Sequence, residues 1–286
     1  MTGGPASRVW RCGSHGLALD RPLVMGIVNV TPDSFSDGGR WLDPLAAVEQ
    51  GRALALAGAD IIDVGGESTR PGSDEVPVAE ELDRVAPVVN ALVNGLDIPI
   101  SIDTRHPEVA EACLGQGASI VNDVSGFRDP AMVALAAAGD AGLVVMHMLG
   151  EPKTMQAEPE YADVVAEVNA YLGGQAAMLE RAGVGGDRIA LDPGIGFGKT
   201  TRHNLELLRH LPGLAMLGYP VLVGASRKRF IGEIVGEVQP DRRLAGSVAV
   251  AVWAAMHGAS IVRVHDVVET VQALRVIHAI QGGGDD

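Results

Sequence analysis

The feature that most constrains this chain is a pattern repeated eight times: a short apolar run that stops at a polar group and passes into a loop. The first instance, VMGIVNVTPDSFSDGG at residues 24–39, breaks its apolar stretch at Asn29. The others are ADIIDVGGESTRPG from Ala59, PISIDT from Pro99, SIVNDVSG from Ser119, GLVVMHM from Gly142, IALDPG from Ile189, PVLVGASRK from Pro220 and SIVRVHD from Ser260. Continuous apolar runs of this length are the pattern of parallel strands buried on both faces. The polar group at the carboxyl end is where such a sheet exposes chemistry.

Helical stretches fill the gaps. Asp43-Pro44 opens one over 45–57 that Gly58 stops, and 78–93 carries Glu80, Glu81 and Asp83 near its amino end, where the helix dipole favours acids and a solvated face explains the charge. Further helices are predicted over 107–115, 130–138, 161–182, 205–211, 241–257 and 267–280, with residues 149–160 as a loop over the top. Strand–helix units on short right-handed crossovers predict an α/β fold, a single (β/α)8 barrel, which needs roughly 250 of the chain's residues. An open doubly wound sheet is the alternative, but no strand here runs into a G-x-G-x-x-G turn. The expected organisation is a loosely attached, Gly-rich lead-in at 1–21 with a short hairpin near 16–20, a barrel at 22–281 and a disordered tail at 282–286. The stretch AGSVAVAVWAAMHGA is apolar nearly all round, which predicts burial on a second side by another subunit.

With 22 basic and 36 acidic residues the formal charge is −14, which argues against a general nucleic-acid or anionic-membrane binder. An anionic ligand must therefore meet a local basic cluster. Cys12 and Cys113 lack both metal-ligand spacing and disulfide density, so unpaired thiols in a reducing cytosol are expected. The first twenty residues contain no apolar core of signal-peptide length and no run reaches the length of a membrane span, so a soluble cytoplasmic protein follows as the expectation.

In a barrel, groups at strand carboxyl ends converge on one mouth. Asn29, Asp103, Asn122, Asp192, Ser226, Lys228, Arg263 and His265 are therefore expected to share a site. Each has a plainer explanation: Asp192-Pro193, for instance, is an ordinary turn or cap sequence. Eight such residues in register are harder to explain by capping alone. Two carboxylates and an amide suit a flat heterocycle bearing several N–H donors, such as an amino-pteridinone. Arg263 and His265, alternate residues of one strand, point to one side and suit a phosphate or pyrophosphate. Lys228 extends that cationic region if a short helix begins there. A solvated basic turn is the competing explanation for Arg227 and Arg229.

The segments NVTPDSFSDGG, GGESTRPG, SIDT, ND, MHM-x-G-x-P-x-TMQ, LDPG-x-GFGK, GASRK and RVHD, in this order and spacing, resemble the dihydropteroate synthases of folate biosynthesis. The resemblance implies a TIM barrel, a homodimer, and a transferase that joins a 7,8-dihydropterin-6-ylmethyl diphosphate to 4-aminobenzoate, the substrate that sulfonamides mimic. It implies that Asp103, Asn122, Asp192 and Lys228 hold the pterin with Met146 and Phe197 beside it. Arg263 and His265 would take the diphosphate, and Asn29 would help bind Mg2+. By the same resemblance Thr69, Arg70 and Pro71, with Phe35 and Asp37, close over the second substrate, and Ser226 receives its carboxylate. Asp103, Lys228, Arg263 and His265 are then the expected catalytic groups. A pterin-dependent methyltransferase domain is the nearest alternative, but its substrate lacks a diphosphate to occupy the SRK and RVH cations. A pterin-binding module without turnover is an alternative of another class. The motifs assign no role to Asp63, Glu67, Asp123 or His147, which are expected to brace the site.

Overall fold

The structure, a computed structural model, describes residues 8–31, 44–68, 75–150, 159–237 and 239–282. The expectations for Phe35, Asp37, Thr69, Arg70 and Pro71 fall outside the described residues. Strands β1 (Val9–Cys12) and β2 (His15–Ala18) form an antiparallel hairpin. The remaining strands are β3 (Leu23–Asn29), β4 (Ile61–Gly65), β5 (Ile100–Asp103), β6 (Ile120–Asp123), β7 (Gly142–Met146), β8 (Ile189–Asp192), β9 (Leu222–Val223) and β10 (Ile261–Val264). They form one 8-stranded parallel sheet in the order β8-β7-β6-β5-β4-β3-β10-β9. A bridge between Leu191 and Val221, with the Leu191 N–H donating to the Pro220 carbonyl at 2.8 Å, brings β8 to β9 and closes the barrel.

Helices α1 (Pro44–Leu56), α2 (Val78–Val93), α3 (Pro107–Gly115), α4 (Pro130–Ala138), α5 (Val164–Arg181), α6 (Thr201–Arg209), α7 (Leu211–Ala215), α8 (Arg229–Val235), α9 (Leu244–Met256) and α10 (Val267–Ile280) surround the sheet. The period of two along each strand divides the core. Val24, Val28, Ile62 and Val64 face the helices with Val85, Val88 and Leu92 of α2, whereas Met25, Ile61, Ile120, Val144, Ala190 and Ile261 fill the barrel interior.

Three expectations need correction. Of the lead-in, residues 8–21 are described and are not loosely attached, because Trp10 and Cys12 are fully buried in the interior cluster and the Trp10 indole donates to the Arg188 carbonyl at 2.9 Å. The hairpin plugs the end of the barrel. Helix α5 begins at Val164 rather than 161, since Asp163 Oδ1 caps it by accepting from the Val165 and Ala166 amides at 3.0 Å each. The predicted helix over 205–211 instead starts at Thr201 under a reciprocal Thr200–His203 capping box and breaks at His210 before α7. Among the described residues no helix is long and apolar enough to cross a membrane.

Candidate active site

Register brings the polar strand ends together. Asn29 is level with Gly65, Gly65 with Asp103, and Asp103 with Asn122, so one rung of the barrel carries an amide, a carboxylate and a second amide. Further round, Asp192 is level with Met146. The inward position two residues below Gly65 on β4 belongs to Asp63, which is fully buried.

Arg263 links these groups. Its Nε donates to Asp63 Oδ2 at 2.6 Å and its Nη2 to Asp103 Oδ2, also at 2.6 Å. Asn122 Nδ2 donates to the same Asp63 oxygen at 3.2 Å. One guanidinium thus serves two carboxylates, in a cluster shielded from most of the solvent. Burial, opposed by Arg263 and reinforced by Asp63, raises the Asp103 carboxyl to about 7. Burial also raises Asp192, whose Oδ1 accepts from the Gly194 amide at 2.7 Å, with Lys228 among the charges opposing the shift. Lys228 itself is drawn down to about 8 by burial, with Asp192 opposing.

Above Asp192 is an apolar shelf. Phe197 packs with Val124, Met146 and Met148, and the Lys228 ammonium lies 3.8 Å from the Phe197 ring centroid, a cation–π contact. The shelf is bordered by a loop in which Gly194, Gly196 and Gly198 all have positive φ, at 65°, 84° and 63°. A Cβ on Gly194 would lie 1.9 Å from the His147 carbonyl oxygen, so only glycine admits this approach.

The basic turn splits as its plainer explanation suggested. Arg227 points to Asp266 through two hydrogen bonds and Arg229 pairs with Glu233 at 3.0 Å, leaving Lys228, the N-cap of α8, facing the shelf. Ser226 Oγ accepts from the His265 backbone N–H at 3.2 Å and lies 3.0 Å from its Nδ1, which joins these two site residues. Burial, with Arg227 and Arg263 nearby, lowers His265 to about 3. The shift favours the neutral imidazole, which can give an anion a hydrogen bond.

Among the described residues one group of three possible metal ligands lies within 4.8 Å: Glu67, Glu81 and His106. Arg105 donates to both oxygens of Glu67 at 3.0 and 3.1 Å and His106 Nδ1 is 2.6 Å from Glu81 Oε2, while Glu81 Oε1 is buried with no hydrogen-bond partner among the described residues. Asn29 does not belong to that group. Asp123 acts as a brace, its oxygens accepting from the Ser125 and Phe127 amides at 2.7 and 2.8 Å.

Sequence reasoning left two central residues without an assigned role: Asp63, expected only to brace the site, and Lys199, quoted only as the end of the GFGK motif. Asp63 is the hub of the Arg263 network; its signal was a carboxylate in the middle of an otherwise apolar strand. Lys199, 2% exposed, sits behind the shelf against His147, and nothing in its glycine-rich context marked it as buried.

Residues 25–265 match the family described as pterin binding enzyme. The chain is 52% identical over 265 residues to the dihydropteroate synthase of Escherichia coli (strain K12), covering 92% of this chain and 93% of that one. Among solved structures, the Xanthomonas albilineans dihydropteroate synthase with 4-aminobenzoic acid superposes with a TM-score of 0.92 at 50% identity, covering 96% of this chain and 99% of the other. The same enzyme in complex with 7,8-dihydropteroate gives 0.87 at 48% identity, covering 96% and 98%.

Proposed function

Because this chain belongs to the pterin-binding enzyme family, among its dihydropteroate synthases, we propose that it joins (7,8-dihydropterin-6-yl)methyl diphosphate to 4-aminobenzoate, giving 7,8-dihydropteroate and pyrophosphate. The observation that carries this reading is the grouping of Asp103, Asn122 and Asp192 with Lys228 and Arg263 around an apolar shelf. Acceptors for a pterin's N–H groups thereby adjoin cations for its anionic tail.

In this reading Asp103, Asn122, Asp192 and Lys228 hold the ring edge, and Met146 and Phe197 pack on its face. Arg263 meets the diphosphate with charge and His265 with a hydrogen bond from Nε2. The carbon–oxygen bond to diphosphate breaks with its electron pair leaving on oxygen. The arylamine nitrogen then bonds to the pterin methylene and sheds one proton. An arylamine is neutral and needs no strong base, so catalysis rests on charge: Asp103 stabilises the developing methylene cation while Arg263 stabilises the departing anion. Ser226 takes the aminobenzoate carboxylate by turning its hydroxyl from His265.

Asn29 offers one hard amide oxygen at the mouth, which fits Mg2+, an ion that takes one or two protein oxygens and completes its shell with water and substrate phosphate. When bound, Mg2+ supplies neutralisation of the leaving group's charge. The same reading makes the chain a cytosolic homodimer. Two buried free thiols, Cys12 and Cys113, support the compartment, and Trp253 and Met256 of the apolar helix α9, 44% and 53% exposed, support a second copy covering that face.

Incubation with both substrates and Mg2+ tests the activity. Dihydropteroate and pyrophosphate should appear in equal amounts; pterin binding without pyrophosphate release would leave only a binding module.

A further inference from the structure

We propose that Lys199 is a positioning residue for the pterin: its ammonium ties the loop after β7 to the loop after β8 and so fixes the Phe197 ring over Lys228. This rests on the pterin reading above and assigns a role to a residue that does not itself line the mouth. Lys199 Nζ lies 3.0 Å from His147 Nδ1, 3.3 Å from the His147 carbonyl and 3.0 Å from the Phe197 carbonyl. An ammonium has three donors and no acceptor, and here each donor has an acceptor. His147 Nδ1 must then accept, with its proton on Nε2. Burial, with Lys199 beside it, holds His147 neutral by lowering it to about 3.

The two loops joined by this contact have little other freedom. A Cβ on Gly198 would lie 2.6 Å from the Leu149 carbonyl, and one on Gly196 3.0 Å from Lys228 Cδ. The Tyr161 hydroxyl also donates to the Gly198 carbonyl at 2.9 Å. Phe197 is the residue through which this rigidity reaches the ligand. Its carbonyl is anchored by Lys199, and its ring lies against Met146, Met148 and the Lys228 ammonium. Burial draws the Lys199 ammonium down to about 7 with Asp192 opposing, and its three acceptors are placed to receive its N–H donors. Removing the ammonium leaves the two carbonyls and the imidazole nitrogen without a common donor, and the shelf loses its register with Asp192.

The test compares Lys199→Met, His147→Ala and His147→Gln with the native protein. The readouts are calorimetric affinity for 6-hydroxymethyl-7,8-dihydropterin, which lacks the diphosphate, and KM for 4-aminobenzoate. Lys199→Met should lose about tenfold or more in pterin affinity, the scale of one hydrogen bond to a charged group, with KM for 4-aminobenzoate nearly unchanged. His147→Ala should lose less in the same direction, and His147→Gln, which restores an acceptor, should recover part of it. Unaltered pterin affinity in Lys199→Met overturns the proposal, as does an equal loss for both substrates. If Lys199→Met does not fold, unaltered pterin affinity in His147→Ala overturns it. Product formation by the native protein tests the underlying activity separately, since these outcomes are ratios to it.

Discussion

Arg263 and Asp103, 160 residues apart in the chain, are joined by a 2.6 Å hydrogen bond from Nη2 to Oδ2. Because the same guanidinium also holds Asp63 at 2.6 Å, neither carboxylate has the cation to itself. Asp63 Oδ1 is buried with no hydrogen-bond partner among the described residues.

Asp103→Asn keeps the shape of this arrangement but removes the charge assigned to the developing cation. Turnover should fall about 100- to 1,000-fold, as for loss of one preorganised electrostatic group, while pterin affinity changes far less. Single-turnover kinetics beside calorimetry separates the two effects.

The pH dependence follows from three shifted groups. Asp103, raised to about 7, is ionised only above that pH, so kcat/KM should fall as pH drops through about 7. Lys228, lowered to about 8, loses its charge above that value and contributes to the alkaline limb together with Lys199, lowered to about 7. Asp63→Asn removes a like charge and leaves Arg263 to Asp103 alone, so the acid limb should move to lower pH. An acid limb that stays in place would mean Asp63 does not tune Asp103.

Ser226→Ala should raise KM for 4-aminobenzoate with pterin affinity intact. Steady-state kinetics with each substrate varied in turn checks this, and the reverse pattern would exchange the two pockets.

Trp10→Ala empties the plugged end of the barrel, far from the mouth. It should lower stability by about 3–5 kcal/mol, the cost of a buried Trp truncation, while turnover below the melting transition is retained. Thermal unfolding and assay at low temperature separate the two readouts.

Much of this molecule was legible because its strands are apolar on both faces and its helices carry local punctuation. Asp129-Pro130 marked α4, and Asp129 indeed caps it by accepting from the Ala131 amide at 2.7 Å. The hairpin was harder: its four-residue strands show only Trp10 and Cys12 two apart, too short a pattern to announce burial. The start of α6 was hidden because its capping box uses His203 where Glu or Gln is the usual signal. Polar strand ends announced Asp103, Asn122, Asp192 and Arg263. The roles of Asp63 and Lys199 were not announced, because they come from contacts between distant parts of the chain, to Arg263 and to His147; the mid-strand carboxylate marked Asp63 only as a brace.

The central claim is that one mouth grips a pteridine and draws away its diphosphate. A crystal structure of the complex with (7,8-dihydropterin-6-yl)methyl diphosphate tests it most directly. The ring should lie on the Phe197–Met146 shelf within hydrogen-bond reach of Asp103, Asn122, Asp192 and Lys228, with the diphosphate on Arg263 and His265. A ligand bound elsewhere, or with its diphosphate turned away from Arg263, would contradict the account.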